Sequence, residues 1–251
     1  MRHQQHNPGS KVTRFGQSAP MLMLFFTVLA TWTAVPRADR VATTTDQPAV
    51  LNDVPLTQYR AFRRMYATNE KFNQEAWLEA WTEFDETGFR YEIVSERGSE
   101  YVRNKVLRNL LHREQQLIDG GEANRAELSL QNYVFEDSSA YGNGVRYITL
   151  KPKRKDMLLV NGRMVLNQDG TELLRVEGVL SKNPSFWTSV VNVIRDFARL
   201  DGVRVPVTTE SIAKIKFAGL SRMSVRYEYE SINGRPVSPS ARQTMAAVIT
   251  R

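Results

Sequence analysis

From residue 55 onward, apolar and polar residues alternate along most of the chain, the period of a half-buried β-strand. Residues 59–69 alternate, and 75–85 place Ala76, Leu78, Ala80, Thr82 and Phe84 on one side against Trp77, Glu79, Trp81 and Glu83 on the other. Residues 89–96 follow a turn at Gly88, which predicts a three-strand meander. The period then changes. Val102, Val106, Leu107, Leu110, Leu111, Leu117 and Ile118 recur at three- and four-residue spacings, predicting one amphipathic helix over about 99–118, opened by Ser99 and ended by "DGGEAN" at 119–124. Strands resume at 132–136, 145–154, 156–167 and 171–181, the last two joined by the Asp-Gly turn of "NQDGT".

In the strand at 171–181, Leu174, Val176, Gly178 and Leu180 form the expected dry side, and Leu173, Arg175, Glu177, Val179 and Ser181 the mixed one. Val190, Val191, Val193, Ile194 and Phe197 suit a helix as well as a strand, but the Asp201-Gly202 turn that follows favours a strand. Ala213, Ile215 and Phe217 then oppose Lys214 and Lys216, and Met223, Val225, Tyr227 and Tyr229 oppose Arg222, Ser224, Arg226, Glu228 and Glu230. The tail from Ser231, with Pro236 and Pro239, is expected to fray.

At least five strands thus carry a dry side, and a single marked helix is available to cover them. A large antiparallel sheet with one apolar face must bury it. The expected fold is α+β, mostly β: a curved antiparallel sheet forming an incomplete barrel, covered by one or more helices. Periodicity alone accommodates either a filled core or a hollow open to an apolar ligand. In the second case the cavity is lined by Leu78, Phe84, Leu174, Val176, Leu180, Val205, Ile215, Phe217, Met223, Val225 and Tyr227, with Trp77, Trp81, Phe186 and Trp187 as aromatics at its mouth.

Charge and the leader change the picture in one respect each. The net charge of +7 is concentrated at the start: residues 1–38 hold four of the 34 basic residues and none of the 27 acidic ones, leaving 30 against 27. A balance that small gives little attraction for polyanions, so no nucleic-acid partner is expected. A basic stretch, the apolar "PMLMLFFTVLATWTAV" at 20–35 and "PRADR" fit an export signal, either cleaved or retained as a signal anchor. Residues 39–54 read as a linker, 55–235 as the folded domain and 236–251 as the tail.

The chain has no cysteine, which excludes disulfides, thiolate metal sites, a Cys nucleophile and the lipidated cysteine of a lipoprotein. Its three histidines are His3 and His6 in the leader and His112 on the helix, so a zinc site or a His-based triad has little to build on. "SIAK" at 211–214 matches Ser-x-x-Lys, but precedes a strand and lacks the partner triplets of acylating enzymes. "YGNGV" at 141–145 is a turn without the residues of a phosphate loop. Glu83, Asp85 and Glu86 read as a solvated turn rather than a glycosidase pair. Arg175 and Glu177 pair along one strand, and "KPKRK" at 151–155 is a basic hairpin end that also suits anionic headgroups. No catalytic residue, cofactor or metal is expected.

The stretches "GRMVLNQDGTELLRVEGVLSKNPSFW" and "DGVRVPVTTESIAKIKFAGLSRMSVRYEYESING", with the opening "EAWLEAWTEFDETGFRYEIVSERGS", resemble bacterial outer-membrane lipoprotein-sorting proteins of the LolA/LolB/RseB-like superfamily. The resemblance covers most of 55–235 and implies an incompletely closed antiparallel barrel whose cavity takes lipoprotein acyl chains in the periplasm. It leads to the expectation of an exported, non-enzymatic carrier of a lipoprotein acyl chain or other lipid, periplasmic and either free or anchored in the inner membrane by residues 20–35. The alternative is an envelope protein-interaction module, a sensor or scaffold without bound lipid.

Overall fold

The computed structural model describes residues 48–51, 53–142 and 144–250; the leader and most of the linker lie outside the described residues. Eleven strands form one sheet: β1 (Tyr59–Asn69), β2 (Gln74–Asp85), β3 (Gly88–Gly98), β4 (Tyr133–Gly142), β5 (Val145–Pro152), β6 (Val160–Asn167), β7 (Leu173–Leu180), β8 (Thr188–Leu200), β9 (Val203–Ile215), β10 (Gly219–Ile232) and the short β11 (Arg235–Pro236). The order is β3-β2-β1-β10-β9-β8-β7-β6-β5-β4, every ladder between these strands is antiparallel, and β11 pairs with β10 alone. The sheet is curved and does not close.

Its two edge strands, β3 and β4, are consecutive in the chain, so their connection has to travel from one edge of the sheet to the other. It does so as a helix: α1 (Glu100–Val102), a π-helical turn (Arg103–Leu107) and α2 (Arg108–Asp119) run continuously. Ser99 caps the start, its Oγ accepting from the Val102 N–H, and Gly120 ends it. Val102, Val106, Leu107, Leu110 and Leu111 are buried in the same core as Met65, Leu78, Met164 and Val225 from the sheet. We call this the inner face.

Period-2 alternation survives in the burial of β1 and β10 almost residue by residue. Residues 188–200 are strand, paired to β9 through a turn in which Asp201 and Gly202 both take positive φ (49° and 87°). The reading fails at Phe217, which lies beyond the end of β9 and is exposed, at Leu174 and in the tail. Leu174 is exposed and Leu173 is buried at 2%, because the β6–β7 ladder shifts register between Val165 and Leu166, pairing Leu166 with Leu173 and Val165 with Arg175. That bulge leaves Leu174 unpaired and turned outward. The tail does not fray: after β11, helix α3 (Pro239–Ile249) packs across β8, β9 and β10, burying Ala241 and Met245. Proline here occupies the first turn, where its missing N–H is no loss, and Ser238 caps the end by accepting from the Ala241 N–H.

Candidate functional site

Of the expected cavity lining, Leu78, Val176, Leu180, Val205, Ile215, Met223, Val225 and Tyr227 are all buried members of the continuous core, and Phe84 packs half-buried against it beside Tyr59. Leu174 and Phe217 are not part of this lining. The bulge turns Leu174 out, and Phe217 lies beyond the end of β9 at φ 66°, 79% exposed.

Nor is the inner face uniformly apolar. Arg63 occupies an inward position of β1 and pairs with Glu114 of α2, each side chain 1% exposed. Its Nη2 also donates to the Tyr59 hydroxyl at 2.7 Å, and the rings of Tyr227 and Phe89 lie 4.8 and 5.2 Å from its guanidinium carbon. Arg195, Thr209 and Ser211 are buried on neighbouring β8 and β9. Burial raises the phenol pKa of Tyr59 and Tyr227, against the pull of Arg63, and pushes that of Tyr133 up to about 12. These phenols are therefore neutral hydrogen-bonding groups. Nothing in the sequence pattern of β1 marks Arg63 except its inward register, between Ala61 and Met65.

Trp77 and Trp81 lie on the opposite, outer face, since β-strand neighbours alternate and Leu78 and Ala80 point inward. Trp77 packs on Tyr66 with the Arg97 guanidinium 4.6 Å from its ring, so it is not at a cavity mouth. Trp81 packs edge-on against Phe62, with Arg60 4.1 Å from its ring. Helix α3 approaches this pair and leaves between them a groove of about 630 Å³. Phe62 and Trp81 line its sheet side, Met245, Ala246 and Ile249 its helix side, with Glu228, Glu230 and Arg242 at its polar margins. The acids are engaged by the sheet: Glu228 pairs with Arg64 and Glu230 with Arg60. The helix is held at its start by Asp201, whose carboxylate accepts from the Ser238 N–H at 2.9 Å and the Ser238 Oγ at 2.6 Å; these bonds lower the Asp201 pKa.

A smaller opening of about 270 Å³ lies between the end of α2 and the segment before β6, among Arg113, Gln116, Arg125 and Asp156. Its acid is charge-paired: Asp156 accepts from Arg125 and Arg154.

Ser211 is buried and Lys214 exposed on the same strand, so the Ser-x-x-Lys spacing puts the two on opposite faces. His112 is exposed, and its Nε2 lies 3.0 Å from Gln116 Nε2. Asp85 is held well below the usual carboxylate range by hydrogen bonds from Arg90 and Thr87, and Arg90 also reaches Glu83. Arg175 bonds Asp196 at 2.6 Å in preference to Glu177 at 3.9 Å. In the basic end at 151–155, Lys151 bonds Glu136, Lys153 bonds Leu130 O, and Arg154 bonds Asn132 and Asp156.

No family profile matches the chain, and no curated protein matches it. Among solved structures it is similar to the crystal structure of a DUF1329 family protein from Desulfovibrio piger, at 10% identity and a TM-score of 0.30, over 68% of this chain and 85% of that one. A likeness of that size carries no functional argument. Among the described residues no helix is long and apolar enough to cross a membrane, and no group of three or more His, Asp or Glu residues is placed to hold a metal ion.

Proposed function

We propose that this chain is an exported, non-enzymatic binding protein that takes an acyl chain of a lipid or lipoprotein into the groove between α3 and the outer face of the sheet. The observation that carries this reading is the groove itself: about 630 Å³, walled by Phe62, Trp81, Met245 and Ile249. That volume falls within the roughly 300–1,000 Å³ of small-molecule sites, and its lining suits a hydrocarbon. Each buried CH₂ contributes ~0.8 kcal/mol, so a chain of about a dozen carbons gains ~10 kcal/mol before ordering costs. Arg242 at the margin offers a cation to a carboxylate or phosphate head. Export rests on the leader at 20–35, and a place in lipoprotein sorting or envelope lipid transport on the resemblance.

The test is displacement of a fluorescent fatty-acid analogue from the purified full chain. Binding by the wild type, lost on Ala246→Trp, is the expected result: Ala246 is an exposed helix position whose enlargement fills the groove without entering the core. Failure of the wild type to bind, or equal binding by the variant, overturns this site.

A further inference from the structure

Three connections lie together at the end of the sheet remote from α3: the β1–β2 turn at 70–73, the β7–β8 loop at 181–187 and the β9–β10 turn at 216–218. α3 is tied to the β8–β9 turn through Asp201, and β9 separates that turn from this end. The three connections are bonded to one another: Lys71 Nζ donates to Phe217 O at 2.6 Å, and Lys216 N donates to Trp187 O at 2.8 Å.

Four large apolar side chains project from this tip. Phe217 is 79% exposed, Phe186 78%, Phe72 43% and Trp187 40%. Three of them form one cluster, Phe186 against Trp187 at 5.4 Å and Trp187 against Phe217 at 6.0 Å between ring centres. Solvent-facing aromatics this closely grouped mark a surface that meets something apolar.

The charges around them indicate what. Lys71, Lys182 and Lys216 are exposed on the same three connections, and Lys216 Nζ lies 4.3 Å from the Phe186 ring. The single acid of these segments, Glu70, is paired with Arg222 at 3.0 Å. Aromatic rings at the water–hydrocarbon boundary, flanked by lysines, match an anionic bilayer.

We propose that this tip is a membrane-docking edge: Phe186, Trp187 and Phe217 enter the interfacial layer of an anionic bilayer, with Phe72 beside them and Lys71, Lys182 and Lys216 on lipid phosphates. This is independent of the groove and stands whether or not an acyl chain binds there.

The experiment is co-sedimentation of the full chain with vesicles of phosphatidylglycerol mixed into phosphatidylcholine, and with pure phosphatidylcholine. Two variants are compared with wild type: Phe186→Ser/Trp187→Ser/Phe217→Gly, and Lys71→Glu/Lys182→Glu/Lys216→Glu. All six positions are exposed, and unchanged circular dichroism with melting no lower than wild type shows that each variant is folded. The expected results are wild-type binding favoured by phosphatidylglycerol, a loss of about tenfold or more on removing the aromatics, and a loss of similar size on anionic vesicles on reversing the lysines. Quenching of tryptophan fluorescence by brominated lipid, reduced in Trp187→Phe, is expected as well. Vesicle binding that the folded variants retain in full belongs to the leader and overturns the proposal. So does a wild type that stays in the supernatant, as it would if the tip served a protein partner instead.

Discussion

Arg63 and Glu114 form a two-pronged ion pair inside the protein, Nη1 donating to Oε2 at 2.6 Å and Nη2 to Oε1 at 3.0 Å. It fastens α2, the element that links the two sheet edges, to β1, the third strand in from the β3 edge. Both charges have left water, so each depends on the other to offset desolvation. Glu114→Ala strands a buried guanidinium and is expected to destabilise by about 3–5 kcal/mol. The double replacement Arg63→Met/Glu114→Leu removes both charges and fills similar volume, and is expected to be far milder than Glu114→Ala. Urea midpoints of wild type, single and double variants check this; a double variant as damaged as the single one would show that packing shape, not charge, governs the contact.

Gly162 and Gly178 face each other across the β6–β7 ladder with no room for a side chain. A Cβ on Gly162 would lie 2.0 Å from Glu177 O, and one on Gly178 would lie 2.4 Å from Asn161 O. Both obstacles are backbone, so the strands would have to part. Gly162→Ala is expected to destabilise by about 2 kcal/mol or more, a melting shift of roughly 4 °C or more for a chain of this size. A melting temperature within a degree or so of wild type would show that the strands separate freely here.

The strand order was not legible from the residues, but the strands themselves were. Period-2 alternation is a local property, and the Asp201-Gly202 turn fixes its hairpin through backbone angles that those two residues adopt easily. What escaped depended on something non-local. One extra residue in β7 inverts the register and sends Leu174 outward, and no feature of "LLRVEG" announces it. Pro239 reads as a chain breaker until its neighbour Ser238 is seen to cap a helix. The groove exists only because that helix lands beside Phe62 and Trp81, residues brought together by β1–β2 pairing. Glu114 did leave a trace, since it continues the apolar stripe of Leu107, Leu110 and Leu111, a position a solvent-facing acid would not take. Phe186 and Trp187, expected at the mouth of a cavity, stand exposed on the β7–β8 loop, and their joining with Phe217 across two connections was not legible.

Asp156 is one source of pH dependence. Burial alone would raise its pKa, but the Leu158 N–H and the Arg125 and Arg154 guanidiniums outweigh it, and the carboxyl is held below its usual value. An aspartate reaches its unfolded value near about 3.9. With the folded pKa below this, the stabilisation is fully present above the unfolded value and is lost as pH falls through the folded one. Asp156→Asn is expected to destabilise by about 2 kcal/mol near neutrality, and the gap between variant and wild type to shrink as pH drops below about 4. Chemical denaturation of both proteins across this range is the measurement; a gap that stays constant would remove Asp156 as its source.

Phe217 separates stability from surface function. Of the four non-glycine residues at positive φ among the described ones, Asn73, Asp201 and Asn233 are types that tolerate this region, and Phe217 is the exception. A bulky residue in the left-handed region costs on the order of 1–3 kcal/mol, whereas glycine enters it freely and loses only about 0.5–1 kcal/mol of extra chain entropy. With the ring 79% exposed, little packing is forfeited on removing it. Phe217→Gly is therefore expected to leave stability unchanged or raise it by about 1 kcal/mol, while weakening association with anionic vesicles. Thermal melting and vesicle binding on the same variant read the two effects apart. A variant that melts clearly lower than wild type would mean that the ring, through its contact with Trp187, supports the β9–β10 turn, and that its strained position serves the fold rather than a partner.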